Sequence, residues 1–323
     1  MKGIMDLNKI VDKLLDMKPD PIPEFVLLKE FKNCPPESKE YKIAYKNVCD
    51  HPFVKKIENS QNSRGFWIPF HGYTEEIIRL LLSYGVDKNH LCFKNVSKYL
   101  IKVLNKKECW EKLDKLDNIR WGPEMFMPLV SAAMLSLINK NDKNIFFYRD
   151  RWANFAENAF KNVCYDLDAD KKAQHEHFGF KTKRIIPPFN YYNFLLLPPD
   201  INKNYINDKT DQALVDYCLN EANGIYYIYG NKLNEFITIN VQNRDSNDFW
   251  NWIRALSLVS QFKSWKKYEQ KYIDWILKQR NKDELWEFPK KFRFALSNSW
   301  RGKNKIIDST IYILRFLMNK QAF

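Results

Sequence analysis

Apolar residues recur at three- and four-residue intervals along nearly the whole chain, and this periodicity restricts its 323 residues to packed helices more than any other feature. The opening segment shows the pattern: Ile4, Leu7, Val11, Leu14 and Leu15 share one helical face. Prolines punctuate it. Pro21 and Pro23 end the first helix, Pro23 suits the first turn of a second, and Pro35 with Pro36 close that one. Asp50, before Pro52, is placed to cap a helix over 53–61, and Thr74, Glu75 and Glu76 open one that Gly85 closes. Further helices are predicted over 37–48, 89–104, 124–138, 145–163, 210–221, 246–262, 265–279 and 306–318, about a dozen in all. The exceptions are 224–229 and 236–241, whose β-branched and aromatic runs predict one short β-hairpin in an otherwise all-α chain.

Composition narrows the class. With 45% hydrophobic and 15% aromatic residues the chain can fill a core, which excludes a disordered polypeptide. No apolar run reaches the length of a membrane span. The charge-free stretches are 125–138, of buried-helix length, and 185–199, which Pro187, Pro188, Pro198 and Pro199 interrupt. Asp6, Lys9, Asp12 and Lys13 break any apolar stretch of a secretion signal, so a cytoplasmic location is expected. Six cysteines without a C-x-x-C pair read as reduced thiols. The formal charge is +13, from 52 basic and 39 acidic residues, and clusters of it lie at 171–184 and 286–323. Such clusters are ordinarily solvated faces, and no specific nucleic-acid partner is predicted from them.

Two passages echo one another. Ile57, Gln61, Gly65 and Trp67 precede the helix from Thr74, while an apolar helix ending in Gln279 is followed by Trp286 and the helix from Ile306. A fainter copy surrounds Arg120, Trp121 and Gly122. Gln61-x-x-x-Gly65-x-Trp67 resembles the QW repeat of squalene cyclases, and the Gln279–Trp286 passage is similar to a degenerate copy. On these residues the chain resembles the terpenoid cyclase and protein prenyltransferase superfamily, and more narrowly the bacterial prenyltransferase/squalene-oxidase-repeat proteins. The resemblance implies an α/α toroid of five or six helical hairpins over 51–323, with residues 1–50 as N-terminal helices packed on the ring. It also implies an apolar central cavity. In such a repeat Gln61, Gly65 and Trp67 read first as helix-terminating scaffold.

The resemblance implies catalytic signatures that the sequence carries only in part. Asp166, Asp168 and Asp170 are the nearest string to the cyclases' Asp-x-Asp-Asp acid, at a different spacing, and alternating aspartates after a helix usually form a solvated Asx turn. His175 and His177, near Cys164 and Asp168, are the one clustered set of metal-ligand types, yet the prenyltransferase zinc motif itself is missing and a surface loop is the better reading. No resident cofactor is therefore expected, with zinc or magnesium at these clusters as the alternative. The ligand-binding candidates are aromatic: Trp67, Tyr73, Trp121, Tyr192, Trp286 and Trp300, with Arg301 for an anionic head. The expected partner is an apolar small molecule of isoprenoid diphosphate type, bound by a terpenoid-cyclase-like or prenyltransferase-like protein. The alternative is a non-catalytic scaffold that uses its ring and basic rim to hold a macromolecule. The 185–199 segment reads as a buried helix or, alternatively, as an apolar rim making peripheral membrane contact. Elemental analysis of the purified protein is expected to find no stoichiometric zinc. One tightly held zinc per chain, lost in a His175→Ala/His177→Ala variant, would overturn this.

Overall fold

Helices fill the periodic segments in the computed structural model, which describes residues 6–109, 119–200, 203–238, 246–288 and 295–318. In chain order they are α1 (Leu7–Asp16), α2 (Pro21–Val26), α3 (Lys39–Cys49), α4 (Pro52–Asn59), α5 (Glu75–Ser83), α6 (Leu91–Leu104), α7 (Met127–Ile138) and α8 (Phe146–Ala159). There follow α9 (Leu167–Phe178), α10 (Asn193–Leu196), α11 (Asp208–Asn220), α12 (Leu233–Phe236), α13 (Ser246–Val259), α14 (Glu269–Lys278) and α15 (Lys303–Met318). Wider π-helical turns extend α2 (Leu27–Phe31) and open α5 (Phe70–Thr74) and α7 (Trp121–Phe126). Among the described residues β-structure is limited to isolated bridges, so the fold is all-α.

The predicted hairpin does not form. Residues 224–229 make a tight loop closed by the Ile225↔Tyr229 bridge, and Phe236 ends α12 instead of starting a strand. Positions 239–241 of that expectation lie outside the described residues. Two predicted helix ends also move. His51, not Asp50, caps α4, its Nδ1 accepting from Phe53 N at 3.3 Å, while Asp50 terminates α3 and pairs with Lys46 one turn back. The 167–178 region, read from sequence as a loop, is helix α9. Its few apolar residues give no clear stripe, but Asp166 caps it through Asp168 N and Ala169 N at 3.0 and 2.9 Å, and Gly179 ends it in the left-handed region.

The chain divides into two compact units. The first gathers Met1–Cys92, Ile239–Trp250 and Gln270–Phe323, and the second Phe93–Thr238 and Asn251–Glu269. Within the first, the predicted echo is a repeated hydrogen-bond unit. Trp67 donates its indole N–H to Ile57 O at 2.9 Å, and Trp286 donates to Ile276 O at 2.9 Å. Asn62 receives Arg64 N and Phe66 N on its Oδ1, and Asn281 receives Asp283 N and Leu285 N. The backbone turn in between is left-handed at Gly65 (φ 93°) and at Glu284 (φ 62°). The register therefore sets Gln61 against Arg280, one residue away from the Gln279 pairing expected from sequence. What recurs is Ile57/Ile276, Asn62/Asn281 and Trp67/Trp286.

Each copy is then locked to the next helix by a threonine. Thr74 Oγ1 accepts Trp67 N at 2.9 Å and donates to Trp67 O; Thr310 Oγ1 accepts Trp286 N at 3.1 Å and reaches Trp286 O at 3.3 Å. In the first copy the tryptophan and threonine are 7 residues apart, in the second 24. The longer connection has two more pins from the same helix: Ser309 Oγ accepts Phe288 N at 3.1 Å, and Asp308 accepts Leu296 N and Ser297 N at 2.8 and 3.0 Å. Past the threonines the helices continue alike, Ile77-Ile78-Arg79 against Ile313-Leu314-Arg315. Arg315 goes further, reaching back to the N-terminal elements through a two-pronged pair with Glu30 at 2.6 and 2.7 Å.

In the second unit α7 is the central helix, with Leu129, Val130, Ala132, Ala133, Met134 and Leu135 fully buried. The stretch Trp121–Ile138 is long and apolar enough to cross a membrane, with 78% of it buried inside the protein as a core helix is. The 185–199 segment is interior too: Ile186, Phe194, Leu196 and Leu197 are fully buried, in line with its first reading as buried, and these residues form no apolar rim. Trp67→Ala is expected to cost about 3 to 5 kcal/mol as a large-to-small core change, and Thr310→Val about 1 to 3 kcal/mol through loss of the lock. Denaturant titration checks both. A Thr310→Val variant as stable as wild type would show that the lock is incidental.

Candidate functional site

The three aspartates proposed as acids do not converge. Asp166 is spent on capping α9, Asp168 is exposed on its first turn, and Asp170 is fully buried. Asp170 accepts Tyr165 Oη at 2.9 Å and Gln174 Nε2 at 2.7 Å, while Gln174 also holds both backbone groups of Ile186. Asp170 thus pins the 185–199 segment to α9 rather than presenting a proton to a substrate. Burial raises its pKa to about 6 against the hydrogen bonds from Gln174 and Tyr165, and burial likewise raises Asp308 to about 6.

The histidines diverge for a geometric reason: two residues apart on a helix, they point to nearly opposite faces. His175 Nε2 sits 2.9 Å from Thr182 O and 3.1 Å from Thr182 N, closing the loop after α9. His177 lies on the other side between Phe155 and Phe178. Among the described residues no three His, Cys, Asp or Glu side chains form a set that could hold a metal.

The aromatic candidates separate into scaffold and surface. Trp67 and Trp286 are buried with their indole N–H groups bound, as described, and Tyr73 is 44% exposed in the π-helical turn before α5. Trp300 is half-buried and Arg301 exposed on the loop entering α15. The cations beside them are engaged within the chain: Lys303 donates to Met17 O and Lys18 O at 2.8 and 2.6 Å, and Lys305 pairs with Glu287 at 2.9 Å. Among the described residues of that loop Arg301, the residue expected to hold an anionic head, is exposed.

Trp121 and Tyr192 come together. Trp121 stacks on Phe126 (centroids 5.0 Å, planes 12°), and Phe126 meets Tyr192 edge-on at 5.8 Å. Tyr227 closes the group, 5.8 Å from Phe126 and 5.4 Å from Tyr192. It is delivered by the 224–229 loop, which only glycine can begin, since a Cβ on Gly224 would lie 2.0 Å from Tyr229 O. Tyr227 itself is held at φ 73°, a costly backbone state for a tyrosine. Tyr226 and Tyr227 remain 52% and 45% exposed. Arg184 lies over the Trp121 ring at 5.7 Å, and Arg254 over Tyr191 at 5.8 Å. The Trp121 indole N–H is shielded from solvent and has no hydrogen-bond partner among the described residues, where buried tryptophans ordinarily find one. Ser131 on α7 and Asn193 on α10, both fully buried, likewise carry unpartnered oxygens, and these two helices pack together.

Sequence inspection missed Phe126, Tyr227 and Arg184 as members of this group. Phe126 sits in an apolar run that reads as core, and Tyr227 in what reads as a strand. Comparison with protein-family models, with curated proteins and with solved structures finds no match to this chain.

The two buried carboxyls give a pH dependence of definite sign. Their folded-state pKa values lie above the ordinary 3.8, so their contribution is intact below about pH 4 and is lost as pH rises through about 6. Each is worth on the order of 3 kcal/mol by linkage. Unfolding free energy should therefore fall between pH 4 and 7 relative to an Asp170→Asn/Asp308→Asn variant. Parallel curves for the two proteins would show that neither carboxyl titrates in that window.

Proposed function

We propose that this chain is an α/α-toroid protein that binds an elongated apolar ligand with an anionic head, of isoprenoid diphosphate type, against Trp121, Phe126, Tyr192 and Tyr227. One observation carries the reading: an aromatic group that reaches solvent at Tyr227 and whose shielded indole N–H, on Trp121, lacks an acceptor among the described residues while an arginine lies over the same ring. Aromatic faces suit a polyprene chain, the indole N–H a phosphate or carboxylate oxygen, and Arg184 the charge. The repeated tryptophan–threonine lock supports the toroid part of the reading, because such rings are built by reusing one helical-hairpin unit. The backbone cost at Tyr227 supports the site as well, since strain of this kind concentrates where side chains are held for binding.

Calorimetry with farnesyl diphosphate tests the proposal. Saturable one-to-one binding is expected, weakened about tenfold in Trp121→Phe, which keeps the ring but removes the donor, and more in Tyr192→Ala. Absence of binding by wild type to farnesyl diphosphate and to laurate, together with no lipid extracted from the purified protein, would sink it.

A further inference from the structure

Two arginines on α8 receive opposite treatment. Arg149 and Arg151 are two residues apart, so they leave the helix on different faces. Arg149 is fully buried and fully answered: Nε donates to Leu196 O at 2.8 Å, Nη1 to Tyr205 Oη at 3.0 Å and Nη2 to Lys140 O at 3.1 Å. Arg151 has no hydrogen-bond acceptor and no carboxylate partner among the described residues, and its Nε is shut off from solvent. What surrounds it instead are ring faces, Phe147 at 4.4 Å, Phe178 at 5.1 Å and Tyr148 at 5.3 Å. The carboxylates closest in sequence are engaged elsewhere: Asp150 with Lys203, Glu157 with Asn207 and Glu176 with Lys172.

A guanidinium carries five donors in a planar fork. Ring faces attract its charge by roughly 0.5 to 2 kcal/mol but accept none of those hydrogen bonds in a strong form, so a partly desolvated arginine so placed is short of an anion. One of these walls and a neighbour of another are accessible. Phe147 is 60% exposed, and His177, whose ring meets Phe178 at 5.0 Å, is exposed beside it. Burial and the Arg151 charge both lower the His177 pKa, which keeps that ring neutral at pH 7.

We propose that Arg151 is the anchor of a second ligand site, which takes a carboxylate or phosphate carried on a planar apolar group. The oxyanion is received two-pronged by the guanidinium, and the planar group lies against Phe147 and Phe178. The site shares no residue with the Trp121 group and holds whether or not that group binds a ligand.

The probes are phenyl phosphate and inorganic phosphate, followed by calorimetry and by the His177 ring resonance in histidine-labelled protein, assigned with His177→Gln. Phenyl phosphate is expected to bind one-to-one, about tenfold more tightly than inorganic phosphate, and to shift the His177 resonance. Arg151→Gln should abolish binding with little change in melting temperature, because the charge it removes meets only ring faces and no hydrogen-bond acceptor among the described residues. Arg151→Lys should bind about tenfold more weakly, an ammonium being unable to grip two oxygens in one plane. Phe147→Ala, at an exposed position, should fold normally and bring the two probes toward equal affinity. The proposal is overturned if millimolar phenyl phosphate leaves the His177 resonance unmoved. It is equally overturned if Arg151→Gln melts well below wild type, or if Arg151→Lys and Phe147→Ala bind both probes as wild type does.

Discussion

A single threonine hydroxyl that both accepts from and donates to the backbone of a tryptophan is the interaction on which the first unit depends. Thr74 does this for Trp67 and Thr310 for Trp286. Each tryptophan in turn ties its indole N–H to a carbonyl in the last turns of the helix before. Three consecutive pieces of chain are thereby closed into one unit whose polar groups are satisfied inside an apolar core, where leaving one unsatisfied costs about 1 to 3 kcal/mol. The same device recurs with other side chains wherever a loop must lie over a buried helix. Asp308 holds Leu296 and Ser297, and in the second unit Asp211 holds Lys263 N and Ser264 N at 3.2 and 2.8 Å. Loop length sets how many pins are needed: one threonine serves the short connection, and three successive residues of α15 serve the long one.

Against that thoroughness the few unanswered groups stand out. Arg149 has every nitrogen matched, whereas Arg151 one half-turn on has none matched among the described residues. Trp67, Trp252 and Trp286 all donate their indole N–H to carbonyls, whereas Trp121 does not. For Arg151 and Trp121 the unmatched donor adjoins aromatic rings that reach solvent, Phe147 for Arg151 and Tyr227, by way of Phe126, for Trp121. Buried donors without acceptors are costly and exposed aromatic rings attract apolar partners, so their coincidence is the observation on which both proposed sites rest.

The acidic and histidine clusters show the converse. They look like chemistry in one dimension because like residues stand close together, but a helix turns successive side chains by about 100°, and α9 distributes them among a cap, solvent, a core pin and a loop closure. Asp170 and His175 are fully employed in holding the segment that follows α9. Their proximity in sequence carried no information about a shared site.

The sequence by itself determined the helical class, most helix positions and the existence of an internal repeat, because these follow from local periodicity, proline stops and residues that recur at fixed spacing. It also marked Trp67 as scaffold first, while Trp286, read as a ligand-binding candidate, turned out to hold the equivalent buried, hydrogen-bonded place. Its errors were local where a polar side chain works across a turn: the cap fell at His51 rather than Asp50, the repeat aligned Gln61 with Arg280, and α9 lacked the apolar stripe that would have announced it. Only the tertiary structure decided which donors are left unmatched. Whether such a donor finds an acceptor depends on groups that packing brings in from far along the chain, such as Leu196 O and Tyr205 Oη for Arg149 at separations of 47 and 56. No spacing rule within the chain encodes that, because hydrogen bonding reads distance and angle in space, and the packing of whole helices sets both.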